Sequence, residues 1–189
     1  MPSIAVAETR VTLAAFRVGN AVYALDVAHV REVVRWQKVT PLPVAPRLIE
    51  GVIDLRGAVV PVVDLGRVLG AAAVAAISTA RIAIVAENGL VMGLAVDAAL
   101  EVMSLDPSEL EDLPALATHA GYDAARAVVR RPNAAPVLLL SLEHILEAVF
   151  RSALAPATAQ RAQVSRSEPQ ASEDHRVGER SPSAKESAS

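Results

Sequence analysis

The sequence contains no cysteine, and only 3% of its residues are aromatic. The missing thiols exclude disulfide bonds, thiolate metal sites and cysteine nucleophiles, and they fit a reducing compartment. The scarce aromatic side chains offer few platforms on which bases or sugars can stack. A net charge of -3 also lacks the basic excess that non-specific nucleic-acid binding requires. The composition therefore indicates a globular protein with no nucleic-acid partner.

Long hydrophobic runs are missing too, although 52% of the residues are hydrophobic. The longest stretch without a charged residue, Val68 to Ala80, is rich in alanine. It is shorter than the ~20 apolar residues that span a bilayer. The N-terminus lacks the basic region and apolar core of a secretion signal. These absences predict a cytoplasmic protein without direct membrane insertion.

No catalytic or metal-binding set can be assembled from the sequence. None of the histidines forms a short-spaced ligand pair with another; they are His29, His119, His144 and His175. There is no phosphate-binding glycine-rich loop and no serine in a nucleophile elbow. Several carboxylates begin or end predicted strands and are interpreted as turn and cap residues: Asp26, Asp54, Asp64 and Asp97. We therefore predict no cofactor, no metal site and no catalytic centre.

Three β-hairpins are predicted where two apolar, β-branched runs flank a turn pair. The turn pairs are Gly19-Asn20, Arg56-Gly57 and Asn88-Gly89, and the strand pairs are 10–18 with 21–25, 52–55 with 59–63, and 81–86 with 90–96. Pro61 lies within a strand and has no N–H to donate, so we expect an edge strand or a bulge there. The hairpins form two groups on either side of the alanine-rich connection 71–79, which favours two small barrels.

The segments between the hairpins carry weaker signals. The period of Val30 to Trp36 is mixed, so helix and strand both remain open. Residues 40–46 hold three prolines and predict an extended loop, and residues 47–50 predict one helical turn ended by Gly51. Asp26 is expected to cap a turn at 27–29, and residues 97–103 are ambiguous.

Helix caps are predicted at three later positions. Asp64 precedes 65–69, and Asp106 precedes Pro107 and Glu109 in the order of a short helix start. Ser141 follows the apolar strand 137–140 and caps a helix over 142–150 with one apolar face. Residues 151–189 contain eight serines and no aromatic residue, so this tail is predicted to be disordered.

Arg56 is an unusual residue for the tip of an otherwise apolar hairpin. A turn arginine is commonly solvated and contributes little to stability. Arginine is also enriched at the energetic centres of protein interfaces. The residues alone leave both readings open.

A resemblance to the CheW-like family extends over residues 10–150. Its centre is the segment 51–65, GVIDLRGAVVPVVDL, which resembles the signature hairpin of chemotaxis coupling proteins. Four further segments are similar to the family in the same order: 16–33, TPLPVAP at 40–46, GLAVD at 93–97 and VLLLSLEHIL at 137–146. The resemblance thus predicts a CheW-like domain at 10–150, followed by the serine-rich tail at 151–189.

The resemblance implies an all-β fold of two packed five-stranded SH3-like barrels with a C-terminal helix. Family members are non-catalytic bacterial adaptors of chemotaxis signal transduction. They link the cytoplasmic tips of chemoreceptors to the regulatory domain of a CheA-type histidine kinase. A cytoplasmic protein recruited to membrane receptor arrays is therefore expected. The alternatives are an adaptor of a non-flagellar chemosensory pathway, and a small β-barrel enzyme or binding protein, which would need a polar pocket.

The resemblance also implies roles for individual residues. Arg56 matches the hairpin arginine that is tied to receptor binding, and Val30, Glu32 and Val33 match a receptor-facing groove. Gly51 and Gly57 match the glycines that frame the motif.

Two positions depart from the family pattern. Asp54 stands where the family commonly has asparagine, and we expect its carboxylate to pair with Arg56 and influence partner choice. Residues 127–132 lack the glycine that usually begins a strand there, which predicts altered local geometry in the second barrel.

Overall fold

The computed structural model describes residues 10–113, 124–131 and 134–154. The described residues form an all-β fold with one C-terminal helix, as predicted. In chain order, the strands are β1 (Val11–Val18), β2 (Ala21–Asp26), β3 (Val30–Arg35), β4 (Ile49–Leu55), β5 (Ala58–Asp64), β6 (Arg81–Glu87), β7 (Leu90–Val96), β8 (Ala98–Leu105), β9 (Leu110–Asp112), β10 (Ala125–Val129) and β11 (Val137–Leu140). The helices are α1 (Leu65–Val68) and α2 (Leu142–Leu154).

The strands form two sheets. A six-stranded sheet has the order β8-β1-β2-β11-β10-β9, and a five-stranded sheet has the order β3-β6-β7-β5-β4. The architecture of two β-units is confirmed, but the first sheet has one strand more than the five expected. The ambiguous segment 97–103 accounts for most of β8, which pairs with β1 over nearly its whole length.

The predicted grouping of hairpins on either side of the alanine-rich connection is wrong. The five-stranded sheet combines β3, β4 and β5 from before the connection with β6 and β7 from after it. The join is a parallel pairing of β5 with β7, in which Val62 lies opposite Gly93 and Val63 opposite Leu94. A parallel pair requires a crossover between its strands, and the connection supplies it.

The prediction that Pro61 lies in an edge strand or at a bulge is wrong. Its strand, β5, lies between β7 and β4 in the interior of the sheet. The bulge of this hairpin lies instead in β4, between Ile49 and Gly51. The register explains how the proline is tolerated. Val52 lies opposite Pro61, and its N–H and C=O both form hydrogen bonds with the backbone of Thr40, on the side of β4 that faces away from β5. The imide nitrogen of Pro61 therefore points toward β7, whose pairing with β5 begins only at Val62.

One apolar core spans both sheets and α2. Phe16 and Leu25 from the six-stranded sheet meet Val85 and Leu94 from the five-stranded sheet, and Ile145 of α2 packs on them. Burial of this apolar surface is the main stabilising term. The predicted docking face of the C-terminal helix is thereby confirmed for Leu142, Ile145, Leu146 and Val149, but Phe150 at its end is 54% exposed.

Several local boundaries differ from the predictions. The expected helical turn at 47–50 is wrong: Arg47 and Leu48 form a turn, closed by a bond from Ile49 N to Pro46 O of 2.9 Å, and β4 begins at Ile49. The ambiguous segment from Val30 is strand β3. The predicted start at Asp106 forms a complete capping box, but the helix is only the 3-10 turn Pro107–Glu109.

Helix α2 continues to Leu154, four residues beyond the predicted end at Phe150. Residues 151–154, which were assigned to the tail, are therefore helical. The rest of the predicted tail, residues 155–189, lies outside the described residues.

Asp64 is a buried carboxylate at the start of α1, with 1% of its surface exposed. Its oxygens accept from Arg67 N at 3.1 Å and from Val74 N at 3.1 Å, so one side chain both caps α1 and fixes the alanine-rich connection. Burial raises the pKa of Asp64 above 3.8, because desolvation outweighs the hydrogen bonds from Arg67 and Val74. A raised folded-state pKa means that ionisation of Asp64 opposes stability as pH rises through that pKa.

Substitution of the buried cap should destabilise the protein clearly. We expect Asp64→Ala to lower the free energy of unfolding by about 1–3 kcal/mol, because the N–H groups of Arg67 and Val74 lose their acceptor. Asp26→Ala is the matched control, since Asp26 is only half-buried and caps the 3-10 turn Val27–His29 by accepting one hydrogen bond, from Ala28 N. Its effect should stay below about 1 kcal/mol in urea unfolding. Equal losses in the two variants would contradict the assignment.

Candidate partner-binding site

The β4–β5 hairpin turns through Arg56 and Gly57, whose φ angles are 55° and 85°. Two consecutive positive φ angles are the signature of a type I′ turn, which matches the twist of paired strands. Gly57 adopts this conformation freely, whereas an arginine in the left-handed region is strained by about 1–2 kcal/mol. The turn therefore holds a residue that its backbone geometry disfavours.

Asp54 fixes this turn from the strand before it. Its Oδ1 accepts a hydrogen bond from Gly57 N at 2.6 Å. The interpretation of Asp54 as a turn residue is thus confirmed, and its predicted pairing with Arg56 is wrong. The carboxylate is already engaged by the backbone, and the arginine side chain extends elsewhere.

Arg56 pairs with Glu32 across the end of the five-stranded sheet. Its Nη1 donates to Oε1 at 3.1 Å and its Nη2 to Oε2 at 2.8 Å, a bidentate contact. The arginine side chain remains 77% exposed and the glutamate side chain 29%. Glu32 belongs to β3 and Arg56 follows β4, so the pair connects the two edge strands of this sheet.

The other predicted groove residues lie on the opposite face of β3. A bulge between Val30 and Glu32 places Val30 opposite Val85 and Val33 opposite Ala83. Because Ala83 and Val85 alternate along β6 and share a face, Val30 and Val33 share that face and Glu32 does not. Val30 packs against the main core, whereas Val33 is 40% exposed. The five predicted receptor-binding residues therefore lie on the two edge strands, β3 and β4, and at the turn after β4, rather than on one surface.

The two motif glycines serve different geometries. A Cβ atom at Gly51 would lie 2.3 Å from Thr40 O, so only glycine lets the proline-rich loop reach β4. Thr40 and Val52 then exchange backbone hydrogen bonds of 2.8 and 2.9 Å. Gly57, by contrast, has open space around it and is required for its positive φ alone.

Sequence reasoning missed a second set of ion pairs, on the six-stranded sheet. Arg130 Nε contacts Glu111 of β9 at 2.8 Å, and Arg131 Nη1 contacts Glu101 of β8 at 2.7 Å. Two adjacent arginines thus reach the two edge strands of that sheet. The sequence signal that could have indicated these ion pairs is the presence of two adjacent arginines. They follow β10, whose pairing with β11 is irregular between Ala125 and Ala127, near the segment expected to differ from the family.

Metal chemistry finds no support among the described residues, in which no three histidine, cysteine or acidic side chains cluster as ligands. His29 Nδ1 instead contacts Glu87 at 2.6 Å, and His144 is exposed on α2. His119 and His175 lie outside the described residues. Within the part of the chain that the structure describes, no helix is long and apolar enough to cross a bilayer.

The described residues thus form two sheets, and the hairpin tip of the five-stranded sheet carries the Arg56–Glu32 pair. Residues 12–150 match the family model of the CheW-like domain. The chain belongs to the CheW-like family.

Named relatives agree with this membership. The chain is 37% identical to "Chemotaxis protein CheW" of Rhizobium meliloti (strain 1021) over 118 residues, which covers 62% of this chain and 76% of the relative. It is 37% identical to "Chemotaxis protein CheW" of Bacillus subtilis (strain 168) over 99 residues, 52% of this chain and 64% of the relative. The crystal structure of the scaffolding protein TtCheW from Thermoanaerobacter tengcongensis is similar, with 29% identity and a TM-score of 0.66, covering 74% of this chain and 94% of that chain.

The strain at Arg56 can be measured by exchanging residues between two matched turns. Asn88 occupies the same left-handed position, φ 49°, in the β6–β7 turn. Because asparagine tolerates this conformation better, we expect Arg56→Asn to leave the free energy of unfolding unchanged or to raise it by up to about 1 kcal/mol. Asn88→Arg should lower it by about 0.5–1 kcal/mol. A clear loss of stability in Arg56→Asn would show that the pair with Glu32 outweighs the strain.

Proposed function

We propose that this CheW-like protein is a non-catalytic adaptor that couples chemoreceptors to a CheA-type histidine kinase in chemotaxis. Its named relatives are chemotaxis proteins, and its structural neighbour is a scaffolding protein. The observation that carries the proposal is the geometry of Arg56. An exposed arginine is retained in a left-handed turn and held by a bidentate contact with Glu32. Backbone strain at an exposed residue suggests a functional constraint.

The proposed receptor contact is the end of the five-stranded sheet. Arg56 supplies the anchoring charge, Glu32 holds its guanidinium before the partner arrives, and Asp54 fixes the turn that directs it. Preorganisation of this kind lowers the entropy lost when an arginine side chain is immobilised on binding. Val33 offers an exposed apolar contact and Val30 supports it from the core side.

Adaptor action requires two binding surfaces on one rigid body. The shared core between the sheets supports such rigidity, because packed interiors transmit displacement rather than absorb it. We propose that the receptor's cytoplasmic tip occupies the Arg56 end while the kinase regulatory domain binds elsewhere. The adaptor then resides in the cytoplasm and joins receptor arrays at the membrane. Charge at the contact sets specificity and association rate more than affinity.

Removal of the anchoring arginine tests this proposal. Arg56→Ala should weaken binding to a soluble chemoreceptor cytoplasmic fragment by about tenfold or more, as expected for an interface arginine. The melting temperature should change by less than about 3 °C, because an exposed ion pair adds little stability.

A matched control separates this contact from a general loss of charge. Arg126 is exposed on β10 of the other sheet, and no ion pair of Arg126 is found among the described residues. Arg126→Ala should bind the receptor fragment like the unmodified protein. Equal binding by all three proteins in a pull-down would mean that Arg56 is not the receptor contact.

A further inference from the structure

Three basic residues lie on or just after the edge strand β3, whose one carboxylate, Glu32, is paired with Arg56. Arg31 and Arg35 are exposed on the strand and Lys38 follows it. Within the described part of the chain, none of these three forms an ion pair. The whole protein has a net charge of -3, so this local excess is not a consequence of composition.

The register adds a fourth positive charge at close range. Arg35 lies directly opposite Arg81 of β6. Arg81 Nη1 donates to the backbone oxygens of Ser78 at 2.9 Å and Ala80 at 2.8 Å, and no carboxylate pairs with it among the described residues. Like charges directly opposite each other on antiparallel strands destabilise the sheet. The register therefore sets two arginines directly opposite each other at the end of β3 and β6.

An apolar contact point accompanies this pair. Val33 precedes Arg35 by two residues, so both side chains are on the same face of β3. Val33 is 40% exposed, and its cross-strand neighbour Ala83 is fully buried. We call Val33, Arg35 and Arg81 the β3 basic face. Its guanidinium groups have the planar fork that matches carboxylates.

We propose that the β3 basic face binds an acidic segment of a protein partner, and, resting on the function proposed above, that this segment belongs to the chemoreceptor. Two features favour this occupant. The face carries uncompensated positive charge, which complements carboxylates. It also contains Val33, which belongs to the receptor contact proposed above, although Glu32 of that contact points to the other face of β3.

A membrane surface fits the same face less well. Attraction to anionic lipids grows with the number of basic side chains that reach the headgroups, and lipid-binding clusters hold four to eight of them. Here Arg81 is half-buried, and one valine is too small to insert between lipids. Membrane binding is therefore an outcome that the experiment must be able to detect.

Charge reversal at Arg35 tests the face. Arg35→Glu should weaken binding to a soluble chemoreceptor cytoplasmic fragment from the same genome by about tenfold in calorimetric titration. The difference should shrink as salt rises from about 50 mM to about 500 mM, since screening shortens the reach of surface charges. Arg126→Glu is the control, because it makes the same change in net charge on the other sheet.

Stability provides an independent readout of the same variant. Arg35→Glu places a carboxylate opposite Arg81 and removes the like-charge pair, so its melting temperature should rise by about 1–3 °C. Weaker binding in a more stable protein excludes misfolding as the cause. A lower melting temperature would overturn the idea that Arg35 is retained against stability.

The outcomes distinguish this inference from the function on which it rests. If Arg35→Glu binds the fragment like Arg126→Glu while Arg56→Ala has lost binding, the β3 basic face is wrong and the adaptor function stands. If the unmodified protein fails to bind the fragment, both proposals fall. Vesicles of phosphatidylglycerol and phosphatidylcholine form the second arm. If charge reversal at Arg35 abolishes co-sedimentation with them but leaves fragment binding unchanged, the occupant is a membrane surface.

Discussion

The geometry of the candidate site depends on how the edge strands of the sheets are connected. An edge strand exposes unpaired N–H and C=O groups, and a protein must cover, charge or connect it. Here an arginine–glutamate pair connects β3 to the hairpin that follows β4, through Glu32 and Arg56. Arg130 and Arg131 reach the edge strands β9 and β8 of the other sheet. Exposed pairs of this kind contribute about 0–1 kcal/mol each, so the core supplies stability while the pairs fix geometry.

The residues of the proposed receptor contact also have structural roles in the hairpin. The type I′ turn that pairs β4 with β5 is also the point at which Arg56 leaves the sheet. Glu32 fixes the arginine side chain, and Asp54 fixes the backbone beneath it. The positive φ of Arg56 lowers the stability of the turn, but the exposed guanidinium is held in one orientation, as the proposed contact with a partner requires. Arg35 and Arg81, directly opposite each other on β3 and β6, form a second pairing of a kind that sheets disfavour.

The sequence predicts features whose signals are local. Turn pairs such as Asn88-Gly89 and caps such as Asp64 were identified correctly, because φ preference and capping chemistry act within a few residues. The strand β3 remained ambiguous, because its bulge at Val30 and Glu32 breaks the alternation that marks a strand. The distribution of strands between the sheets was missed as well, since the parallel pairing of β5 with β7 joins distant segments and leaves no local pattern.

In the candidate site, too, the local feature was predictable from the sequence and the contact between distant segments was not. Arg56 was found as an unusual residue in a hairpin and through the family resemblance, but its partner was expected to be the nearby Asp54. The actual partner, Glu32, is distant in sequence and becomes a neighbour only when the edges of the sheet meet. No spacing rule connects the two residues. Pairing across edges of a sheet therefore has to be observed in three dimensions.

If Glu32 holds Arg56 in position for a receptor, the two residues should be coupled in binding, and a double-mutant cycle measures that coupling. The affinities of the unmodified protein, Glu32→Gln, Arg56→Ala and the double variant for a chemoreceptor cytoplasmic fragment would be compared by calorimetry. If the two residues act as a unit, the double variant should lose about as much affinity as Arg56→Ala alone, with a coupling energy of about 0.5 kcal/mol or more. Strictly additive losses, or no loss in any variant, would contradict the account.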